Sequence, residues 1–263
     1  MTAGAPSNVS DNAIKFSPSA GIGMPGEIDV YAVKVNEMRF VILSQPRTGS
    51  SLLVSSLRAH PQVCCRDEVI NSHQADWFKD LPWPGADRLM TCLAGQDGQA
   101  IGCKMHACDP DPDHRSPSEW ESAWDALSED QEVRVICLYR QNVIAQLASW
   151  KVAEALHEWG VQSSGARPKI QISPNELRWF HKWNRFAYQS RLGRLTQHSV
   201  KLISYEELID NWDTLLADIQ EFLGVEKATV KQSIPKSETR NLDEVVLNYS
   251  ELTKLPWAAV RFQ

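Results

Sequence analysis

The clearest chemistry in the sequence is a permanent cation followed by hydroxyls, Pro46-Arg47-Thr48-Gly49-Ser50-Ser51. In a turn that opens a helix, backbone N–H groups face outward at the positive end of the helix dipole, and such a turn binds anions. Gly49 lets the main chain approach an anion closely. Thr48, Ser50 and Ser51 add hydroxyl donors, and Arg47 adds a charge that does not titrate. Together these groups can cradle a doubly charged oxyanion. The plainer alternative is an ordinary helix start, because Ser and Thr are favoured at caps anyway.

A second anion site is suggested by Tyr139-Arg140-Gln141-Asn142 and, further on, Ser149-Trp150. Arg140 closes an apolar run and so falls at a strand's carboxyl end, the edge where open α/β sheets bind ligands. Ser149 follows nine residues later, about two to three turns if the segment is helical. Both reach one phosphate only if the chain turns sharply after Arg140. Taken alone, an Arg there equally reads as solvated or ion-paired. Two residues are candidate proton acceptors, Glu68 and His106. Either must come within hydrogen-bond reach of its substrate, and an imidazole titrates near neutrality without tuning. Lys104, or Arg47, could neutralise charge on a departing phosphate.

The elements around these residues alternate in type. Met38-Arg39-Phe40-Val41-Ile42-Leu43 has the composition of a buried parallel strand and runs into Ser44-Gln45-Pro46. Helical spacing follows from Ser51 to Ala59, with Leu53 and Leu57 four apart. Further strands are expected at 100–105, 133–139 and 200–203. Ser118 with Glu121 resembles a capping box before Trp124 and Leu127. Ser173-Pro174 starts a long helix to about Leu195, and Tyr205 to Leu223 reads as one helix stopped at Gly224. Strands alternating with helices predict an α/β fold, a central parallel sheet flanked by helices. A lead-in rich in Gly, Ser, Pro and Asn over 1–36 precedes a single expected domain at 37–263. The stretches Cys108–Ser118 and Trp159–Ser173 are irregular, and loops of that kind form lids, acceptor walls or plain surface excursions.

Composition narrows the function classes. A net charge of −6 gives no support for a nucleic-acid partner, so a polyanionic ligand needs a local basic pocket. The six Cys form no C-x-x-C pair, and adjacent Cys64-Cys65 makes a poor disulfide or zinc clip; reduced thiols are expected. The N-terminus lacks a signal-peptide pattern, and no run approaches the ~20 apolar residues of a membrane span, so a cytoplasmic protein is expected. The turn at 46–51 lacks the first Gly and the Lys of a nucleoside-triphosphatase P-loop, and no magnesium carboxylate follows; no metal is expected. The ten Trp residues, Trp77, Trp83, Trp120, Trp124, Trp150 and Trp159 among them, offer faces that could stack on sugar rings, although most Trp residues simply pack.

In this company, the motifs resemble the sulfotransferases that use 3′-phosphoadenosine 5′-phosphosulfate (PAPS), with a closer look to the bacterial branch acting on sugars and glycolipids. Pro46-Arg47-Thr48-Gly49-Ser50-Ser51 is similar to that family's 5′-phosphosulfate loop. Leu138-Tyr139-Arg140-Gln141-Asn142 with Ser149-Trp150 is similar to its 3′-phosphate site, which implies Arg140 and Ser149 as ligands of that phosphate. His60-Pro61-Gln62-Val63 with Glu68 resembles the segment that carries an acidic base in several sugar sulfotransferases. Asp67 fits that pattern less well than its neighbour. Lys104-Met105-His106 resembles a Lys-x-His arrangement in cytosolic members, where the His is the base, and Gly102-Cys103-Lys104 resembles a strand end facing the site. Ser204-Tyr205-Glu206-Glu207-Leu208 through Gly224 is similar to the family's late strand–helix unit. The basic Gly-rich loop that closes over the nucleotide in cytosolic members is absent, and Lys231–Lys236 could do part of its work.

The resemblance implies a P-loop-like sulfotransferase fold. It also implies PAPS as co-substrate, direct transfer without a metal, and a hydroxyl acceptor on a sugar or glycolipid. A small-metabolite kinase with a P-loop-like turn and a non-catalytic nucleotide-binding member of the family are the alternatives.

Overall fold

The structure, a computed structural model, describes residues 37–70, 85–94, 97–108, 117–159, 168–231 and 241–257. The lead-in at 1–36, Trp77, Trp83, most of the Cys108–Ser118 stretch, 160–167 and most of the Lys231–Lys236 segment lie outside the described residues.

The most apolar run forms the centre of the sheet. β1 (Met38–Ser44) pairs in parallel with β3 (Ala100–His106) on one side and β4 (Arg134–Tyr139) on the other. β2 (Val63–Glu68) adds to β3, and β5 (Val200–Ser204) adds to β4, also in parallel. The order is therefore β2-β3-β1-β4-β5. A sheet buried on both faces accepts near-continuous apolar strands, as in β1 and β3. The pleat sends alternate residues to opposite layers. Phe40 and Ile42 pack with Leu53 and Leu57 of α1 (Ser50–Arg58) and with Ile219 and Leu223 further along the chain. Val41 and Leu43 pack with Leu89 of α2 (Gly85–Leu93), Trp124 of α3 (Pro117–Glu129) and Tyr188. Each such Leu or Phe, fully buried, contributes about 1.5–3 kcal/mol.

α4 (Val143–Leu156) and α5 (Pro174–Arg194) share a third apolar cluster with Ile172, Val246 and Leu252. The chain ends in α6 (Tyr205–Asp210), α7 (Trp212–Leu223) and the short turns α8 (Leu242–Val245) and α9 (Tyr249–Leu252). No described helix is long and apolar enough to cross a membrane.

Three expectations are corrected. Residues 63–68 form a strand that the polar tail Arg66-Asp67-Glu68 concealed. Among the described residues β2 pairs with β3 alone, and an edge position tolerates those charges. The expected helix from Tyr205 to Leu223 breaks into two at Asn211, whose φ of −123° and ψ of 40° are not helical. Helix α3 begins at Pro117, so Ser118 sits inside its first turn instead of capping it. The Glu121 carboxylate is held instead by Arg191 and Arg194, at 2.6 and 2.9 Å. The box at the start of α5 does form, with Ser173 and Glu176 satisfying each other's backbone N–H groups.

In an all-parallel sheet every carboxyl end lies on the same edge. β1 therefore delivers the turn at 45–49, β2 delivers Glu68, β3 delivers His106, and β4 and β5 deliver Arg140 and Tyr205 to one rim.

Candidate functional site

The turn between β1 and α1 is built on two left-handed residues, Arg47 (φ 65°) and Gly49 (φ 84°). For a residue as bulky as Arg this conformation is an outlier costing about 1–3 kcal/mol, and it persists only where surrounding contacts hold it. Three contacts do so. The Arg47 Nε donates to Ser149 Oγ at 2.9 Å, and its NH1 donates to the Trp159 carbonyl at 3.2 Å. The Arg47 carbonyl accepts from Arg140 NH1 at 3.2 Å. The two motifs, 93 residues apart at this last bond, thus share one site.

Gly49 is the N-cap of α1, and among the described residues no side-chain cap bond is made to the first turn of that helix. Those N–H groups point along the positive end of the helix dipole, as an anion site requires. A Cβ on Gly49 would lie 2.5 Å from the Tyr205 ring, so both the backbone conformation and the close ring demand glycine. Gly49→Ala is expected to lower the melting temperature and to abolish nucleotide-dependent stabilisation. Differential scanning fluorimetry with and without ligand checks this; an unchanged ligand response would detach the turn from anion binding.

The expected hydroxyl donors divide. Ser51 is half-buried, and its Oγ accepts from Lys104 Nζ at 3.4 Å. Ser50 is buried at the start of α1. Thr48 corrects the sequence-based expectation: its Oγ1 points inward and donates to the Gln45 carbonyl at 2.7 Å. Only its main chain is then left for a ligand. A 2.7 Å hydrogen bond inside a buried turn locks the geometry that its neighbours present.

Arg140 lies beyond β4, where the chain does turn sharply. Asn142 caps α4 by accepting from the Ala145 N–H at 2.9 Å, and the Glu206 carboxylate accepts from the Gln141 and Asn142 N–H groups at 3.0 Å each. That carboxylate, brought in by α6, holds the turn from which α4 carries Ser149 toward Arg47. The Arg140 guanidinium stacks over the Tyr205 ring, 4.6 Å to the centroid. Burial pushes its ionisation below the ordinary arginine range, against the opposing influence of Tyr205 and Glu206. Its Nε is buried with no hydrogen-bond partner among the described residues. A desolvated cation with an orphaned donor, next to an uncapped helix start, fits a phosphorylated dianion.

The other half of the rim carries Glu68, Lys104 and His106. A register shift between Arg66 and Glu68 places Glu68 opposite Lys104, the kind of bulge that re-aims a side chain next to a site. Glu68 Oε1 lies 2.7 Å from Lys104 Nζ and 2.8 Å from His106 Nε2. Lys104 also meets Asp67 Oδ1 at 2.6 Å. Burial opposes the Glu68 charge, but His106 and Lys104 outweigh it and hold the carboxyl well below the usual range. Burial likewise opposes the Lys104 charge, and Glu68 and Asp67 outweigh it, raising that ammonium. His106 is 4% exposed, with Nδ1 3.4 Å from Ser44 Oγ and Nε2 on Glu68. Glu68 is 16% exposed, more than His106. Lys104 connects the halves, reaching both Glu68 and the Ser51 hydroxyl of the turn.

The structure thus brings Arg47, Gly49, Ser51, Arg140 and Ser149 together at the carboxyl rim of the sheet, with Glu68, Lys104 and His106 on the adjoining strand ends. The sequence reading did not single out Gln146, whose amide donates to the Pro46 carbonyl at 3.0 Å and accepts from Asn184 at 3.1 Å. Nor did it assign a role to Tyr205. Its position directly after the β5 strand pattern was the available signal. Among the aromatic candidates, Trp120 and Trp124 are core residues and cannot stack on a sugar, whereas Trp159 is 54% exposed beside Arg47.

Several known proteins are similar to this chain. The chain is 26% identical over 228 residues to Nodulation protein H of Rhizobium tropici, an alignment that covers 82% of this chain and 88% of that one. A solved sulfotransferase from Alicyclobacillus acidocaldarius aligns with a TM-score of 0.46 and 15% identity over 78% of this chain and 88% of its own. A mouse sulfotransferase complexed with PAP aligns with a TM-score of 0.45 and 12% identity over 77% of this chain and 62% of its own. No family model matches the chain. These solved neighbours are sulfotransferases, the family that the sequence motifs resemble.

Proposed function

We propose that this protein is a PAPS-dependent sulfotransferase that moves a sulfuryl group onto a hydroxyl of a sugar or glycolipid. The observation that supports this is the bond from Arg140 to the Arg47 carbonyl, which sets the two candidate phosphate-binding motifs side by side. The donor is an adenine nucleotide with a 3′-phosphate and a 5′-phosphosulfate. Arg140 and Ser149 hold the first group. Arg47, Gly49, Ser50, Ser51 and the Thr48 main chain hold the second.

The reaction breaks the bond between sulfur and the bridging oxygen, which departs with its electron pair on the 5′-phosphate. The acceptor oxygen forms the new bond to sulfur, and its proton passes to Glu68. His106, held on Glu68 and Ser44, fixes the carboxylate. Lys104, within reach of both Glu68 and Ser51, balances the negative charge that builds on the leaving phosphate. The exposed ring of Trp159, whose main-chain carbonyl accepts from Arg47, favours a sugar on the acceptor.

Thermal unfolding with 3′-phosphoadenosine 5′-phosphate (PAP), ADP and ATP tests this reading. A ligand bound at 100 times its Kd stabilises by about 2.7 kcal/mol, so PAP is expected to raise the melting temperature clearly above both other nucleotides. Equal shifts from all three, or a shift from ATP with magnesium alone, would favour a kinase and remove the assignment.

A further inference from the structure

We propose that the outward face of α5 is a docking surface for an anionic lipid bilayer. The inward face of this helix is already used, by Leu177, Phe180, Asn184, Ala187 and Tyr188. On the other side Trp179, Trp183 and Phe186 follow at spacings of four and three, which aligns them along one stripe. Trp179 is 64% exposed and Phe186 72% exposed, and the rings of Trp179 and Trp183 stack 5.9 Å apart. Trp179 and Phe186 belong to none of the apolar clusters, whereas Trp183 is half-buried against the one that α4 and α5 share.

Charge selects the partner. Arg178, Lys182 and Arg185 interleave with the aromatic residues, and from Leu177 to Tyr205 the sequence contains no Asp or Glu. That stretch stands out in a chain whose net charge is −6. The later cations Arg191 and Arg194 are neutralised by Glu121 and Asp125. Arg178, Lys182 and Arg185 form no ion pair among the described residues; Arg178 lies over the Trp257 ring, 5.3 Å to the centroid. Amphipathic aromatic rings beside Lys and Arg are the chemistry of the bilayer interface, where rings enter the headgroup layer and cations meet anionic lipids. A water-soluble anion would account for the charges and leave the exposed Trp179 and Phe186 rings unexplained.

The face is continuous with the site. Trp159, whose carbonyl accepts from Arg47, packs edge-on against Trp150 at 5.6 Å, and Trp150 packs against Trp183 at 6.0 Å. An unbroken run of rings therefore leads from the phosphate turn to the exposed stripe. If the sulfotransferase reading holds, this surface would present the hydroxyl of a lipid-anchored acceptor; the docking itself does not depend on that reading.

The test is co-sedimentation of the full chain with phosphatidylcholine vesicles and with vesicles containing phosphatidylglycerol. Binding is expected to the anionic vesicles and to weaken as salt is raised. Lys182→Gln should reduce the partition coefficient about fivefold. Trp179→Ala and Phe186→Ala should each reduce it about tenfold or more. All three variants should unfold at the parent temperature and keep the parent response to PAP. Equal partition to neutral and anionic vesicles, or parent-like binding by the variants, overturns the proposal. So does a concentration-dependent dimer that Trp179→Ala dissolves, which would give the face to a second copy of the chain. Loss of PAP selectivity in the parent protein would sink the sulfotransferase reading and leave the vesicle result intact.

Discussion

Glu68→Gln is expected to slow sulfuryl transfer by about 100- to 10,000-fold while PAP still binds, because a positioned general base contributes on that scale. His106→Gln is expected to cost less. Its ring nitrogens are engaged with Glu68 and Ser44, so its part is to hold the carboxylate in place. Single-turnover rates at saturating donor separate the two. If neither substitution slows transfer, the proton leaves by another route.

The same substitution has a pH signature in stability. In the folded chain the Glu68 carboxyl is held below its ordinary range, so the folded state binds fewer protons there than the unfolded state. The stabilisation is therefore complete above the unfolded value of about 4.3 and is lost as pH falls toward the folded value. Lys104 is raised, so its share is complete below the unfolded value of about 10.4 and is lost only as pH climbs through the folded value. The difference in melting temperature between the parent and Glu68→Gln should narrow as pH falls below about 4. A difference that stays constant on acidification would uncouple Glu68 from Lys104 and His106.

Arg140→Ala has the second large effect, this time on binding. A hydrogen bond to a charged group contributes about 1.5–3 kcal/mol, so losing the grip on the 3′-phosphate should weaken PAP by about 10- to 150-fold. Unliganded stability should fall much less. The side chain is a buried cation with an orphaned Nε, and among the described residues its one hydrogen bond to the protein is to the Arg47 carbonyl. Arg140→Lys should not restore affinity, since one ammonium lacks the planar fork that can bond Arg47 and a phosphate together. Arg47→Ala should remove PAP selectivity as well, through loss of the cation at the 5′ end. Calorimetric titration of the three variants measures this. Parent-like affinity in Arg140→Ala would move the second phosphate elsewhere.

Much of this site could be read from short stretches. The β1–turn–α1 unit was legible because its strand, its cation and hydroxyls, and its helix follow one another within about twenty residues, and local patterning governs such a unit. Arg140 was legible for the same reason, as the end of an apolar run. Glu68 was harder to place. It was legible as a candidate by resemblance, but its strand was not, because Arg66-Asp67-Glu68 has no apolar alternation. Thr48 misled because residue type says nothing about which way a hydroxyl turns. Trp120 and Trp124 misled in the same way, since burial is settled by the helices that cover them.

The sequence alone determined which chemistry each strand end carries: an arginine and hydroxyls after β1, an arginine after β4, a carboxylate at 68, an ammonium and an imidazole at 104 and 106. The tertiary structure decided who meets whom. Sheet order sets β2 beside β3, so Glu68 lands on Lys104 and His106, and it sets β1 beside β4, so Arg47 and Ser149 touch across 102 residues. Strand pairing joins segments without regard to their separation along the chain, and that is why spacing in the sequence could name the groups but not bring them together.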